Sequence, residues 1–216
     1  MKLLIRKKLE FKPTLSAPEL ESLCKDLETI GQFLSKAIFP IYLVGGIGMA
    51  LSSGGLYRNN KDIDLMIFRE HLSDFCEYIS TKGYATFRQV KKHNATKQYQ
   101  LFILQKTNPE GILAAEGKKI RLTKEKGFFQ QMHTRMDYID FFICQESNSE
   151  ISLLERSLSF PKEDFFPTKE IKLKNKTSLS VPNPKYFEHI KRFLGRPIDI
   201  YDLEKNKSCS STKIKN

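Results

Sequence analysis

Two aspartates in the sequence have the spacing of metal ligands. Asp62 and Asp64 are separated by one residue at the start of the apolar run Ile63–Phe68, which is typical of a buried strand. Because side chains alternate along a strand, both carboxylates point to the same side. Two carboxylates this close repel each other unless a cation lies between them. Mg²⁺ binds one or two carboxylates together with substrate phosphates, so the spacing predicts a Mg²⁺ site here.

A pair of glycines precedes these aspartates. Gly45 and Gly46 follow the short apolar run 41–44 and precede a helix predicted over residues 47–53. Glycine lets the backbone approach a ligand closely, and the first N–H groups of a helix have no partner within the helix. This arrangement is typical of a phosphate site. A nucleoside triphosphate held by the Gly45-Gly46 turn would supply the remaining ligands of the metal ion.

A third carboxylate is expected for a site that holds two metal ions. Asp140 is the best candidate, because it lies within the apolar run 136–144. Burial of an acid in such a strand costs several kcal/mol unless the acid is paired or metal-bound. Asp137 is the alternative, but it lies three residues before Asp140 and therefore on the opposite face of the strand. We therefore prefer Asp140, which has apolar residues on both sides.

Hydrophobic periodicity and turn residues predict the other elements. Ser16, with Glu19 three residues later, forms a capping-box pattern at the start of the first helix. A hairpin is predicted around Lys92, His93 and Asn94. The predicted helices cover residues 16–37, 47–53, 70–81, 182–194 and 197–205. The predicted strands cover residues 41–44, 63–68, 84–90, 98–105, 119–123, 136–144, 171–173 and 178–181.

This order of elements predicts an α/β (α+β) fold, in which helices flank a mixed β-sheet. We expect residues 1–181 to form the core and residues 182–205 to form a short C-terminal helical element that closes a cleft. Residues 206–216 are polar and basic, and we expect them to be disordered.

The net charge of +11 arises from 36 Lys plus Arg and 25 Asp plus Glu. Much of the excess lies in the segment 82–126, which contains 11 Lys or Arg and three Glu, a net +8. A basic face attracts polyphosphates or nucleic acid. A solvated lysine-rich surface is the alternative interpretation.

Several other classes of protein find no support in the sequence. The four cysteines show no C-x-x-C pair and no metal-ligand spacing with the four histidines, and we expect them to be reduced thiols in the cytoplasm. None of the histidines lies beside a candidate nucleophile, so nucleophilic catalysis by Ser or Cys is not indicated. Runs of about 18 apolar residues are absent, so no membrane partner is expected.

Three segments of the sequence resemble the polymerase-β-like nucleotidyltransferase superfamily. They are Gly45-Gly46, the Asp62-x-Asp64 pair and the later strand around Asp140. Arg58, four residues before Asp62, is similar to one branch of the superfamily. That branch holds lincosamide and aminoglycoside nucleotidyltransferases and the nucleotidyltransferase toxins of toxin–antitoxin systems. In one respect the sequence departs from many members, because no serine directly follows the glycines.

The C-terminal segment 178–204 resembles the helical segment of the same branch. In that segment a lysine on the first helix faces the nucleotide, and an Arg-x-x-Asp-x-x-Asp stretch opens the second helix. The resemblance implies that Lys191 contacts the triphosphate and that Arg58 helps to neutralise it. We interpret Asp199 and Asp202 as residues without a catalytic role, Asp199 being suited to the dipole at a helix start.

The resemblance implies a Mg²⁺-dependent enzyme, with two ions held by Asp62, Asp64 and Asp140. Such an enzyme transfers a nucleoside monophosphate from a nucleoside triphosphate to a hydroxyl acceptor. The basic central segment favours RNA as acceptor, such as a tRNA 3′ end, as in a toxin that has an antitoxin partner. A small-molecule antibiotic is the next choice. A third hypothesis is a nucleic-acid-binding module on the same fold that has lost catalysis.

Overall fold

The computed structural model of the chain describes residues 1–8, 11–60, 62–114, 120–125, 127–132, 134–155 and 158–211. Strands and helices alternate along much of this part of the chain. The strands are β1 Lys2–Lys7, β2 Ile41–Val44, β3 Ile63–Phe68, β4 Tyr84–Asn94, β5 Tyr99–Lys106, β6 Ile120–Lys124, β7 Phe129–Gln131, β8 Ile139–Glu146, β9 Glu150–Leu153, β10 Leu158–Pro161, β11 Lys169–Lys172 and β12 Ser178–Val181. The helices are α1 Ala17–Leu34, α2 Gly45–Ser52, α3 Leu72–Thr81, α4 Pro109–Leu113, α5 Lys162–Phe165, α6 Pro184–Leu194 and α7 Pro197–Ser211.

These strands form one mixed sheet of 12 strands within the described residues. Its order is β11-β12-β2-β3-β8-β6-β4-β5-β1-β7, and β9 joins β8 to β10. At the centre of the sheet, β2 runs antiparallel to β3, β3 parallel to β8, and β8 antiparallel to β6. The predicted fold class, a mixed sheet with flanking helices, is confirmed.

Alternation along the central strands creates two apolar layers, one on each face of the sheet. Ile63, Leu65 and Ile67 of β3 belong to a cluster that α1 and α3 cover. Met66 and Phe68 belong to a second cluster on the other face, where α5 and α6 pack. Asp64 has the same parity as Met66 and Phe68, and it therefore lies on the α6 face.

Local signals in the sequence account for the helix ends that frame this core. Ser16 and Glu19 form the predicted capping box at the start of α1, which satisfies N–H groups that the helix leaves open. Gly195 ends α6 with φ +59°, a left-handed conformation that favours glycine. The turn to α7 therefore begins where the sequence predicts it.

The first strand is absent from the sequence-based prediction. The buried side of β1 consists of Lys2, Leu4 and Arg6. Because two of these three residues are basic, the sequence does not show the apolar alternation that is typical of a strand. Burial is tolerated because the Lys2 ammonium donates a hydrogen bond to the carbonyl of Lys124. The Arg6 guanidinium packs over the rings of Phe102 and Tyr138, which adds cation–π attraction.

Other elements differ from the prediction in their ends. The strand β4 continues through Asn94, so the hairpin turn covers residues 95–98 and not Lys92-His93-Asn94. A 3-10 turn over Arg135–Asp137 delays the start of β8. The helix α7 continues through Ser211, and Asn206, the first residue of the predicted tail, is buried in it. Residues 119 and 212–216 of the predictions lie outside the described part of the chain.

Hydrophobic helices long enough to cross a bilayer are not found in the described ranges.

Candidate active site

All seven residues that the sequence singles out line one cavity of about 320 Å³. The cavity lies on the α6 face, where β2 ends and β3 and β8 begin. Its predicted lining residues are Gly45, Gly46, Arg58, Asp62, Asp64, Asp140 and Lys191. Segments far apart in the sequence thus meet at one place in the fold. The predicted site residues did not include five further charged or amide residues of the lining, which are Arg6, Asn59, Asn60, Lys92 and Arg196.

A row of paired residues runs across four strands at this cavity. Val44 of β2 pairs with Asp64 of β3, Asp64 with Asp140 of β8, and Asp140 with Arg121 of β6. Paired residues on neighbouring strands point to the same face, with their Cβ atoms about 5 Å apart. The row therefore places two carboxylates and a guanidinium side by side.

Asp62 and Asp140 each form an ion pair with an arginine. The Arg121 Nη1 lies 2.7 Å from Asp140 Oδ1, and the Arg6 Nη1 lies 3.3 Å from Asp62 Oδ2. The two guanidinium carbons lie 4.8 and 5.1 Å from the centre of the Tyr138 ring. Together, the carboxylates of Asp62, Asp64 and Asp140 and the guanidiniums of Arg6 and Arg121 carry a formal charge of −1.

Burial and charge act in opposite directions on Arg121. Burial, the largest single effect, disfavours the charged guanidinium, but Asp140, Tyr138 and Glu155 together outweigh it and raise the pKa of Arg121. Burial raises the pKa of the neighbouring Tyr138 hydroxyl, because it disfavours the charged phenolate, and the negative charge of Asp140 raises this pKa further. Arg121 is therefore a permanent cation beside Asp140, and Tyr138 stays a neutral hydroxyl.

Two of the three carboxylates at the cavity form a donor set that suits Mg²⁺. Asp62 and Asp64 offer two carboxylates on one side of the chain, and Mg²⁺ requires no more than this when substrate phosphates complete its shell. These two residues therefore fit the ion. In the described ranges no group of three or more His, Cys, Asp or Glu side chains is arranged to hold a metal, and Asp140 faces Arg121.

Both glycines are required by their close neighbours. Gly45 has φ +68° and a Cβ there would overlap the carboxylate of Asp64. At Gly46 a Cβ would overlap the Arg58 guanidinium and would lie 2.6 Å from Asn60 Oδ1. The helix α2 starts at Gly45 without a side-chain cap, so its first N–H groups are available at the cavity wall.

An ion-pair network, buried except for Arg196, forms another part of the cavity wall. Arg58 donates two hydrogen bonds to Asp202, at 2.6 and 2.8 Å. The Lys191 ammonium lies 2.8 Å from both Asp199 Oδ1 and Asp202 Oδ2, and Arg196 donates to Asp199 at 2.6 and 3.0 Å. Three cations and two anions give this wall a formal charge of +1.

The network corrects the interpretation of Asp199 and Asp202. Both side chains are 0% exposed and bind Lys191, so a favourable helix dipole is not their main role. Burial raises the pKa of Asp199, but hydrogen bonds from Arg196 and Lys191 outweigh it and the net shift is downward. The sequence signal for this ion-pair network is the Arg-x-x-Asp-x-x-Asp spacing, which places Asp199 and Asp202 on one face of the helix.

The serines after the glycines lie away from the cavity. Ser52 and Ser53 both donate to the carbonyl of Met49, at 2.9 and 2.8 Å. They stabilise the end of α2 and are not part of the cavity lining. The remaining lining is largely apolar and comes from Phe11, Val44, Phe142, Leu153, Tyr186, Ile190, Leu194 and Ile198, so the cavity has both charged and apolar lining residues.

Two solved structures are similar to this fold. One is the lincomycin-bound lincosamide antibiotic adenylyltransferase LnuA, at 15% identity and a TM-score of 0.49, covering 86% of this chain and 96% of that one. The other is a putative nucleotidyltransferase from Thermotoga maritima, at 13% identity and a TM-score of 0.44, covering 89% and 94%. No protein-family model and no curated protein sequence matches the chain. Both structures carry the name of a nucleotidyltransferase.

Proposed function

We propose that the chain is a Mg²⁺-dependent nucleotidyltransferase that transfers a nucleoside monophosphate to a hydroxyl group. One observation carries the proposal. A single cavity combines a glycine turn at a helix start, a row of carboxylates and a buried cationic wall. Each of these parts serves a different need of phosphoryl transfer, which requires positioning and charge stabilisation more than covalent chemistry.

The cavity offers a distinct place for each part of a nucleoside triphosphate. The N–H groups at Gly45 and Gly46 would donate hydrogen bonds to phosphate oxygens, as helix starts do. Lys191 and Arg196 add positive charge to the cavity lining. The apolar lining from α6 and α7 suits a nucleobase. Mg²⁺ held by Asp62 and Asp64 would neutralise phosphate charge when bound.

In the proposed reaction an acceptor hydroxyl oxygen forms a bond to the α-phosphorus. The bond between the α-phosphorus and the α,β-bridging oxygen breaks, and pyrophosphate leaves with that electron pair. The hydroxyl proton passes to the carboxylate of Asp140, which lies beside Asp64 in the strand pair and acts as general base. The cationic wall of Arg58, Lys191 and Arg196 stabilises the negative charge that develops on the leaving group.

The acceptor we propose is RNA, such as a tRNA 3′ end, in a toxin-like activity with an antitoxin partner. Lys92 and Arg6 line the cavity on the side of β4 and β1, next to the carboxylate row. A cationic antibiotic would meet these two positive charges, whereas an RNA phosphate would be attracted to them. A small-molecule acceptor without positive charge is the alternative.

The test is transfer of label from each of the four α-³²P nucleoside triphosphates to total RNA in the presence of Mg²⁺. We expect labelled RNA with the wild-type chain and none with Asp64→Asn. Label in neither sample, with triphosphate binding intact, would contradict the RNA acceptor and direct the assay to small hydroxyl compounds. Absence of triphosphate binding would overturn the proposed activity and favour a nucleic-acid-binding module.

A further inference from the structure

Several contacts hold the Arg121 guanidinium in place at the end of the carboxylate row. Its side chain is 3% exposed. Its Nη1 contacts Asp140 and the carbonyl of Ile120, at 2.7 and 2.9 Å, and its Nη2 donates to Gln89 at 3.2 Å. Its Nε donates to the hydroxyl of Tyr138. Each nitrogen of the guanidinium therefore has a partner, so a swing away from Asp140 would leave several buried groups unpaired.

A metal ion on Asp140 would lie very close to this cation. Mg²⁺ binds carboxylate oxygens at about 2 Å, and the guanidinium nitrogen is 2.7 Å from Asp140 Oδ1. The ion and the guanidinium would then be roughly 4–5 Å apart, in a buried region where charges are weakly screened. Arg121 therefore opposes a divalent ion at Asp140.

The other two carboxylates are in a different position. The side chain of Asp62 is 25% exposed, and its contact with Arg6 is longer, at 3.3 Å. Attraction between charges falls with distance, so this longer ion pair is more readily exchanged for a metal ion than that of Asp140. Asp64 lies between Val44 and Asp140 in the row, one strand further from Arg121.

We infer that Arg121 takes the place of a second metal ion. The complex with nucleotide then holds one divalent ion, on Asp62 and Asp64, and Arg121 is a positioning residue that fixes Asp140 toward the acceptor. This inference rests on the proposed nucleotide site and replaces the two ions that the sequence resemblance implies.

The test counts metal ions per bound nucleotide without relying on turnover. Mn²⁺ replaces Mg²⁺, and the α,β-methylene analogues of the four nucleoside triphosphates are used one at a time. Equilibrium dialysis, with Mn²⁺ counted by electron paramagnetic resonance, gives the ratio of bound ions to bound analogue. We expect a ratio of one for the wild-type chain and also for Asp140→Asn, which keeps the side-chain shape.

The variant Arg121→Gln removes the competing cation, and we expect its ratio to rise to two. Circular dichroism establishes whether this variant is folded; if it is not, the wild-type chain and Asp140→Asn decide alone. A ratio of two in the wild-type chain, or a lower ratio in Asp140→Asn than in wild type, would overturn the inference and leave the nucleotide site intact. Failure of all four analogues to bind would overturn the proposed function and this inference together.

Discussion

Arg58 and Asp202 are 144 positions apart in the sequence, yet their side chains form an ion pair with two hydrogen bonds of 2.6 and 2.8 Å. The pair joins the segment before β3 to α7. Lys191 of α6 binds the same carboxylate, so both C-terminal helices are fixed to the core at the cavity. The C-terminal helical element is therefore part of the cavity wall.

We expect Asp202→Asn to destabilise the chain by about 3–5 kcal/mol, because it leaves the buried cations of Arg58 and Lys191 undercompensated. The matched control is Glu125→Gln, since Glu125 pairs with Lys106 where both side chains are about half exposed, 47% and 57%. The control should change the free energy of unfolding far less, because water screens an exposed ion pair. Urea denaturation of both variants measures the difference, and equal effects would contradict a structural role for the network.

The glycine turn provides a second test. Gly46→Ala places a methyl group against Arg58 and Asn60, and we expect a loss of about 1–3 kcal/mol of stability, as for overpacking elsewhere. Gly55→Ala is the control, because no atom lies within 4 Å of a Cβ there. Thermal unfolding with and without Mg²⁺ and triphosphate should show weaker nucleotide stabilisation for Gly46→Ala only. If both variants unfold like the wild type, the close approach of Arg58 and Asn60 to Gly46 does not contribute to stability.

The stability of the chain should depend on pH through Asp199. Its pKa is lowered from 3.8, so the folded carboxylate stays charged at a pH where the unfolded one binds a proton. The group therefore stabilises the fold above about pH 4, and this contribution is lost as the pH falls through the folded pKa. We expect the difference in unfolding free energy between wild type and Asp199→Asn to shrink below pH 4. A difference that stays constant from pH 6 to pH 3 would contradict this.

Transfer activity should depend on the carboxylate at position 64. We expect Asp64→Asn to lower kcat by roughly 10²-fold or more, since a charged group at the reacting phosphate is lost. The far-ultraviolet circular dichroism should be unchanged. Asp74→Asn, on the exposed side of α3, is the matched control and should keep full activity. Normal turnover by folded Asp64→Asn would remove the basis of the proposed site.

The proposed RNA acceptor predicts a role for Lys92, which lines the cavity. Lys92→Glu should lower kcat/KM with RNA and reduce the slope of log affinity against log salt by about one. Lys97→Glu, in the exposed hairpin turn, makes the same charge change outside the cavity lining and should have a smaller effect. Equal effects of both substitutions would point to general attraction by the hairpin and not to a contact at the cavity.

Local patterns were sufficient for the elements that carry the predicted site residues. The predicted strand at Ile63–Phe68 and the capping box at Ser16 agree with the structure, because alternation and capping depend on neighbours in the sequence. The glycines and aspartates were also recognisable, since their spacing is short. Asp140 was identified by an acid within an apolar run, which is again a local signal.

The cationic partners of the site depend on contacts that the sequence does not display. Arg6 lies in a strand whose partner, β5, begins more than ninety residues later, at Tyr99. Arg121 meets Asp140 only through the register of β6 on β8. Strand order and register are set by the whole sheet, so no window of the sequence reveals these pairs. The same holds for Asp202, whose partner Arg58 lies in the segment before β3.

The direct pairing of β3 with β8 has a consequence for how such a protein can diversify. The chain leaves the centre of the sheet after Phe68 and returns at Ile139 to the neighbouring position. The strands β4, β5 and β6, which add the wall beyond Asp140, all lie in this excursion. The hairpin of β4 and β5 can therefore change in length or sequence while β3 and β8 keep the spacing of Asp64 and Asp140, provided that β6 keeps Arg121 beside Asp140.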